Sequence, residues 1–193
     1  MSERKEALIF IGLAATGLIS SFLGLNLLQE HSGVDRRLVL CGYSTSELIV
    51  SKLVVLLCVI LITGVYVASM ILVSFQPRHF LQMISGFILG GFVYGCYGLL
   101  VGTIFKKELE GILFIVLLAN IDAGWLQNPI YYAEAQNKAI IRSLPAYFPS
   151  QASMAAAFTD HSVINPLMRG IIYGIVLLFV ALFIYWRRMG IRK

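Results

Sequence analysis

The chain has 193 residues, of which 59% are hydrophobic and only 13% charged, and its mean hydropathy is +0.84. A water-soluble domain carries about 25% charged residues, so this chain cannot clothe its own surface in water, and lipid must be part of its solvent. The net charge of +5 does not point to nucleic acid, because the basic residues sit in short loops and at the ends of apolar runs, where membrane orientation places them.

A helix needs about 20 apolar residues to cross the hydrocarbon core. Five crossings and their loops therefore use up the length and leave no room for a soluble catalytic or nucleotide-binding domain. The expected fold is an all-α integral membrane protein, one transmembrane domain over residues 1–193, with five spans, a short amphipathic helix on one side and two short helices on the other. The first span covers about 7–28 and is too long, and too poor in a cleavage site, for a signal peptide. Gly12, Thr16, Ser20 and Gly24 recur every four residues along it. They form a stripe on one helix face where another backbone can approach closely.

A polar connection over 29–46 follows. Ser32 and Asp35 fit a helix start and Gly42 a helix end, with Val34, Leu38 and Cys41 on one face of a short amphipathic helix between them. Ser44 and Glu47 read as a capping box opening the second span, 47–75. After the tight connection Gln76-Pro77-Arg78-His79, the third span covers 80–105. Its Gly91, Gly95, Gly98 and Gly102 form a glycine face, and Gly86 and Gly90 add a further close-approach pair. Lys106-Lys107-Glu108 turns into the fourth span, 109–126, which carries Asn120 and Asp122 near its far end. The stretch 127–165, punctuated by Pro129, Pro145 and Pro149, reads as a re-entrant or interfacial segment with short helices at 133–144 and 150–158. Asn165-Pro166 opens the last span, 166–186.

Lys and Arg set the orientation. The side with the 29–52 connection, the Lys106 turn and the C-terminus holds nine of them, against six on the other side, where the longest loop dilutes them. The nine-residue side is therefore expected in the cytoplasm and the N-terminus outside.

The most informative segment is the cytoplasmic connection, with Glu30, Gly33, Asp35, Arg36, Arg37 and Leu38, then Gly42, Ser44, Glu47, Leu48, Ser51 and Lys52. It resembles the segment that links two spans in permease subunits of ABC transporters of the type-2 exporter class, where an E-x-x-G-x-x-x-R-L-like run precedes a small-residue turn, E-L and an S-K or G-K pair. The resemblance extends through the glycine-rich span, the Lys106-Lys107 turn and the Leu144-Pro145-Ala146-Tyr147-Phe148-Pro149 stretch to the C-terminus. It implies that the segment is a coupling helix docking on a separate ABC ATPase, with Glu30, Gly33, Asp35, Arg36, Arg37 and Leu38 in that role. It further implies a permease dimer, either a homodimer or a heterodimer with a second permease, in a plasma or inner membrane. Periodicity alone fits equally a helix resting on the lipid surface. Family members usually have six spans and an inside N-terminus, so the expectation is that the family's first span is missing, through truncation, a mis-assigned start or a separately encoded piece.

No phosphate-binding loop is present, so ATP hydrolysis belongs to a partner chain. No nucleophile–base set and no carboxylate pair stands out, and no cofactor, metal or nucleic acid is expected. Cys41, Cys58 and Cys96 have no metal-ligand spacing and read as small apolar packing residues. His31, His79 and His161 are scattered and read as solvated loop residues. An acid inside a span tends to face a bundle interior or water, which makes Asp122, with Asn120, a pathway candidate. Its closeness to Gln127 favours instead a side chain reaching the outer interface. The expected function is the membrane-spanning subunit of an ATP-driven exporter, not itself an enzyme. The alternative is a non-transporting membrane protein such as an immunity or assembly factor, or a permease remnant.

Overall fold

The computed structural model describes residues 2–29, 37–38, 41–105, 107–127, 144–158 and 163–190, and every regular element among them is helical. The elements are α1 (Ser2–Gln29), α2 (Thr45–Ser74), α3 (Phe80–Ile104), α4 (Glu108–Gln127), α5 (Tyr147–Phe158) and α6 (Ile164–Gly190). Four of them, α1, α2, α3 and α6, contain stretches long and apolar enough to cross a membrane. Of the expected short helices, the cytoplasmic one lies outside the described residues apart from Arg37, Leu38, Cys41 and Gly42, and the one over 133–144 lies outside them apart from Leu144.

The local signals act as the sequence suggests. Glu47 N–H donates to Ser44 Oγ at 3.2 Å and Ser44 N–H to Glu47 Oε2 at 3.1 Å, so two otherwise orphaned amides are satisfied at the start of α2. Ahead of it, Tyr43 N–H donates to the Leu38 carbonyl at 3.1 Å and Gly42 has φ +101°. This is a glycine-terminated helix end, and only a residue without Cβ sits there without strain.

α3 is the centre of the bundle. It packs against α1, α2, α4, α5 and α6, and 72% of its apolar stretch is buried, against 17% for α2 and for α6. The glycine face explains how one helix can touch so many others. A Cβ on Gly24 would stand 2.6 Å from the Gly95 carbonyl oxygen, and one on Gly98 would overlap the Ser21 backbone. α1 and α3 thus meet backbone to backbone. The contacts Leu13–Gly90, Gly17–Tyr94, Ser21–Gly98 and Leu25–Gly102 rise together along both chains, so the two helices run parallel. The expected stripe on α1 is buried at Thr16 and Ser20 and makes a backbone approach at Gly24, while Gly17 and Ser21, one position over, share the seam with it. Thr16 and Ser21 donate their hydroxyls to carbonyls of the preceding turn, so neither brings an unsatisfied polar group to the seam.

The remaining directions follow from the same kind of register. α2 is antiparallel to α3, through Leu56–Gly95, Ile60–Gly91 and Gly64–Ile88. α4 is antiparallel too, its Phe114 ring lying against Tyr97 and Phe105 and its Asp122 against Tyr94. α6 is parallel, through Leu89–Gly170 and Phe92–Gly174. α5 runs antiparallel to α3 in the half of the bundle that holds the α2–α3 turn. Pro149 faces Gly90, Ser153 faces Gly86 so closely that a Cβ there would overlap it, and the Ala156 and Ala157 carbonyls accept the His79 and Arg78 amides at 3.1 and 3.3 Å. Those bonds satisfy carbonyls that a helix end otherwise orphans.

Outward faces of α2, α4 and α6 are apolar and exposed, as at Ile62, Val73, Leu113, Leu117, Ile172 and Phe179. This is the surface a lipid-embedded bundle presents. Of the cysteines, all read as small apolar packing residues, Cys96 is buried, while Cys41 and Cys58 are exposed.

Substitutions on the glycine face should separate backbone contacts from side-chain contacts. A methyl at Gly95 meets only Ile60 and Leu56 side-chain carbons, 3.3 and 3.4 Å away, and helix propensity favours Ala by about 1 kcal/mol. Gly95→Ala should therefore be near neutral. Gly98→Ala meets backbone and should cost about 1–3 kcal/mol, the usual range for overpacking, read as a lower midpoint of thermal unfolding in detergent.

Candidate functional site

Two regions carry the chemistry: the end of the bundle where α1 and α3 finish, and a buried acid at mid-bundle.

At the end, Gln29 closes α1 and donates its side-chain Nε2 to the Phe105 carbonyl, just past α3, at 2.9 Å. The last carbonyls of α3 have no helical partner, and Gln29 satisfies one of them while tying the two helix ends together. Phe105 also packs on Phe114 of α4, with ring centroids 5.2 Å apart. The segment beginning at residue 30 thus leaves from a point fixed to both α1 and α3, beside the turn into α4. Lys107 pairs with Glu110 at 3.5 Å on the surface of that turn, a pair of little energetic weight so exposed.

Of the expected coupling residues, Glu30, Gly33, Asp35 and Arg36 lie outside the described residues. Arg37 is exposed and Leu38 half-buried. The Cys41 amide donates to the Arg37 and Leu38 carbonyls, at 3.0 and 3.1 Å. From this helical turn to the capped start of α2 there is only a short joint through Gly42 and Tyr43.

At mid-bundle, Asp122 is 2% exposed and its Oδ2 accepts a hydrogen bond from the Tyr94 hydroxyl. Tyr94 lies near the midpoint of the 25-residue α3, so the acid sits deep in the bundle and does not reach a solvated interface as its nearness to Gln127 suggests. The antiparallel register of α4 on α3 supplies the reason. α4 starts level with the end of α3, and Asp122 is carried back only as far as Tyr94. Tyr97 and Tyr173 are within electrostatic reach of the carboxyl, and the Ala146 main chain faces it. Even so, Oδ1 has no partner of good hydrogen-bond geometry among the described residues. Asn120 does not join this cluster. It is exposed on the opposite side of α4, and its amide donates to the Val116 carbonyl one turn back at 2.8 Å.

A carboxyl in this setting is costly unless bonded, and the phenol offsets part of that cost. Tyr94, Tyr97 and Tyr173 were not singled out from the sequence. The available signal was a tyrosine set in a glycine face, because a buried phenol needs a polar partner. Among the described residues no group of three His, Cys, Asp or Glu side chains could hold a metal ion.

Removing the phenol leaves the acid without its hydrogen bond. Tyr94→Phe should destabilise the protein by about 1–3 kcal/mol, the cost of orphaning a buried polar group. Because the two residues share one bond, the loss in Tyr94→Phe with Asp122→Leu should fall short of the sum of the single losses, as a double-mutant cycle of detergent unfolding midpoints would show.

Comparison with known proteins agrees with this architecture. The family model described as ABC-2 family transporter protein matches residues 7–186, and the chain belongs to that family. It is a multi-pass membrane protein and a membrane transport component. No curated protein and no solved structure matches it.

Proposed function

We propose that this ABC-2 family member is the membrane-spanning permease subunit of an ATP-driven exporter, coupled through residues 30–42 to a separate ABC ATPase. The observation that carries the coupling reading is the joint at Gln29. A push on a helix merely resting on lipid would dissipate in its connections. Here the segment starts at a residue bonded to the end of α3, and α1 and α3 meet through their backbones. At its other end it enters α2 through a two-residue joint and a closed capping box. Motion imposed on the segment would reach two antiparallel helices at once, which a two-state bundle needs to turn docking into a population shift. Glu30, Asp35, Arg36 and Arg37 would set its register on the ATPase, while Gly33 and Leu38 shape the helix and its apolar face.

In this reading α4 is the fifth crossing, with α1, α3 and α6 running towards the cytoplasm and α2 and α4 away from it. The alternating directions of the packed helices support it. α5 is then a re-entrant element entered from the outside. Two copies, or one with a sister permease, would meet through apolar outer faces. Asn120, exposed on α4, is the better placed of the two pathway candidates to line a route between them, and Asp122 holds α4 to α3 behind it.

Co-purification with a candidate ABC ATPase tests the coupling. Glu30→Ala with Arg37→Ala should weaken ATPase capture at least tenfold, since hydrogen bonds to charged groups contribute about 1.5–3 kcal/mol each. Arg4→Ala with Lys5→Ala, at the opposite end, should leave capture unchanged. Undiminished capture by the loop variant would remove the coupling assignment.

A further inference from the structure

Between α5 and α6 lies an open cleft of about 290 Å³ lined by Tyr147, Phe148, Gln151, Asn165, Pro166 and Arg169. Arg169 is exposed and is the only ionisable cation or acid in that lining. Its depth follows from the register of α6. The neighbouring Gly170 packs on Leu89, nine residues along α3 from Phe80, or about 13 Å at 1.5 Å per residue. Lys5, by comparison, lies over the Phe75 ring at the end of α2, 5.5 Å from its centroid, close to the outer edge of the bundle. The residues flanking Arg169 on the same surface, Met168 and Ile172, are exposed and apolar. Arg169 is the sixth residue of α6, set among apolar neighbours where a charge without a partner is costly, and no ion pair to it is present among the described residues. The cost falls if an anion from outside the chain completes the cleft.

We propose that this cleft binds the phosphate of an anionic membrane lipid, with the Arg169 guanidinium on the phosphate, the Gln151 and Asn165 amides as further donors and the acyl chain along the apolar face of α6. Guanidinium geometry suits a phosphate, which accepts two parallel N–H bonds. Gln151 is already oriented, its Nε2 donating to the Tyr147 hydroxyl at 3.0 Å, so the cleft wall is set before a ligand arrives. A lipid fits better than a soluble anion because the cleft opens beside Ile172, Val176 and Phe179, all exposed. The assignment needs only that the chain is embedded in a membrane and does not rest on the ATPase reading.

The test uses the full chain in detergent with dioleoyl phosphatidylglycerol or dioleoyl phosphatidylcholine, bound lipid being counted by native mass spectrometry. Wild type should retain phosphatidylglycerol over phosphatidylcholine by about tenfold, the equivalent of about 1.4 kcal/mol. Arg169→Gln should lose that preference and Arg169→Lys keep part of it. Equal retention of phosphatidylglycerol by wild type and Arg169→Gln would overturn the proposal. So would millimolar inorganic phosphate alone raising the wild-type unfolding midpoint as much as phosphatidylglycerol does, because the site would then take a free anion. If Arg169→Gln does not fold, Gln151→Ala with Asn165→Ala carries the same test, with a reduced preference expected and an unchanged one contradicting the assignment.

Discussion

Direct backbone contact between α1 and α3 is the constraint on which the rest of the molecule hangs. Lipid tails are as apolar as leucine, so helices in a bilayer gain little by burying apolar side chains against each other and depend on close packing instead. Gly24 against the Gly95 carbonyl and Gly98 against Ser21 bring two main chains as near as they can come. Everything else fills the grooves beside that seam. Leu56 and Ile60 of α2 occupy the space over Gly95 and Gly91, Leu13 that over Gly90, and Ser153 of α5 that over Gly86. A single large side chain at Gly98 would displace the seam and, with it, each helix seated against it.

The same seam gives the two candidate regions their different characters. The Gln29–Phe105 bond lies where α1 and α3 end, so it lengthens the rigid pair by one polar stitch and hands the following segment a fixed origin. The Tyr94–Asp122 bond lies across α3 and α4, a pair with far fewer contacts than α1 and α3. Along the bundle, then, the tight joint is made of glycine and the looser one of a hydrogen bond. A packed glycine seam has one arrangement, whereas a hydrogen bond can be exchanged for another partner.

Much of this was legible in the sequence because it is written in short-range signals. Ser44 with Glu47, Gly42 at a helix end and the α3 glycines need only their neighbours in the chain to be understood. The depth of Asp122 was not legible. It depends on where α4 begins relative to the end of α3, and four residues to Gln127 say nothing about a register between helices. The burial of α5 was hidden for a similar reason. Ser150, Ser153 and the alanines around them fit a re-entrant or an interfacial helix equally, and only the position of Gly86 on a neighbouring helix, against which those small residues pack, distinguishes the two. For the α1 stripe Gly24 makes the expected backbone approach, but the neighbouring row through Gly17 and Ser21 shares the seam, and small residues at 16 and 20 continue as smoothly as those at 17 and 21.

The seat of α5 also has a consequence for biogenesis. At 12 residues α5 is about 18 Å long, well short of the roughly 30 Å needed to cross the hydrocarbon core, so the insertion machinery has no reason to hold it in the membrane by its own hydropathy. Its last carbonyls find their donors in the Arg78 and His79 amides, which exist in that arrangement only once α2 and α3 are side by side. Its other wall, with Phe148 against Tyr173, comes from α6, which leaves the ribosome after it. α5 is thus synthesised before one of its walls, and its seat is complete only once α6 has closed over it.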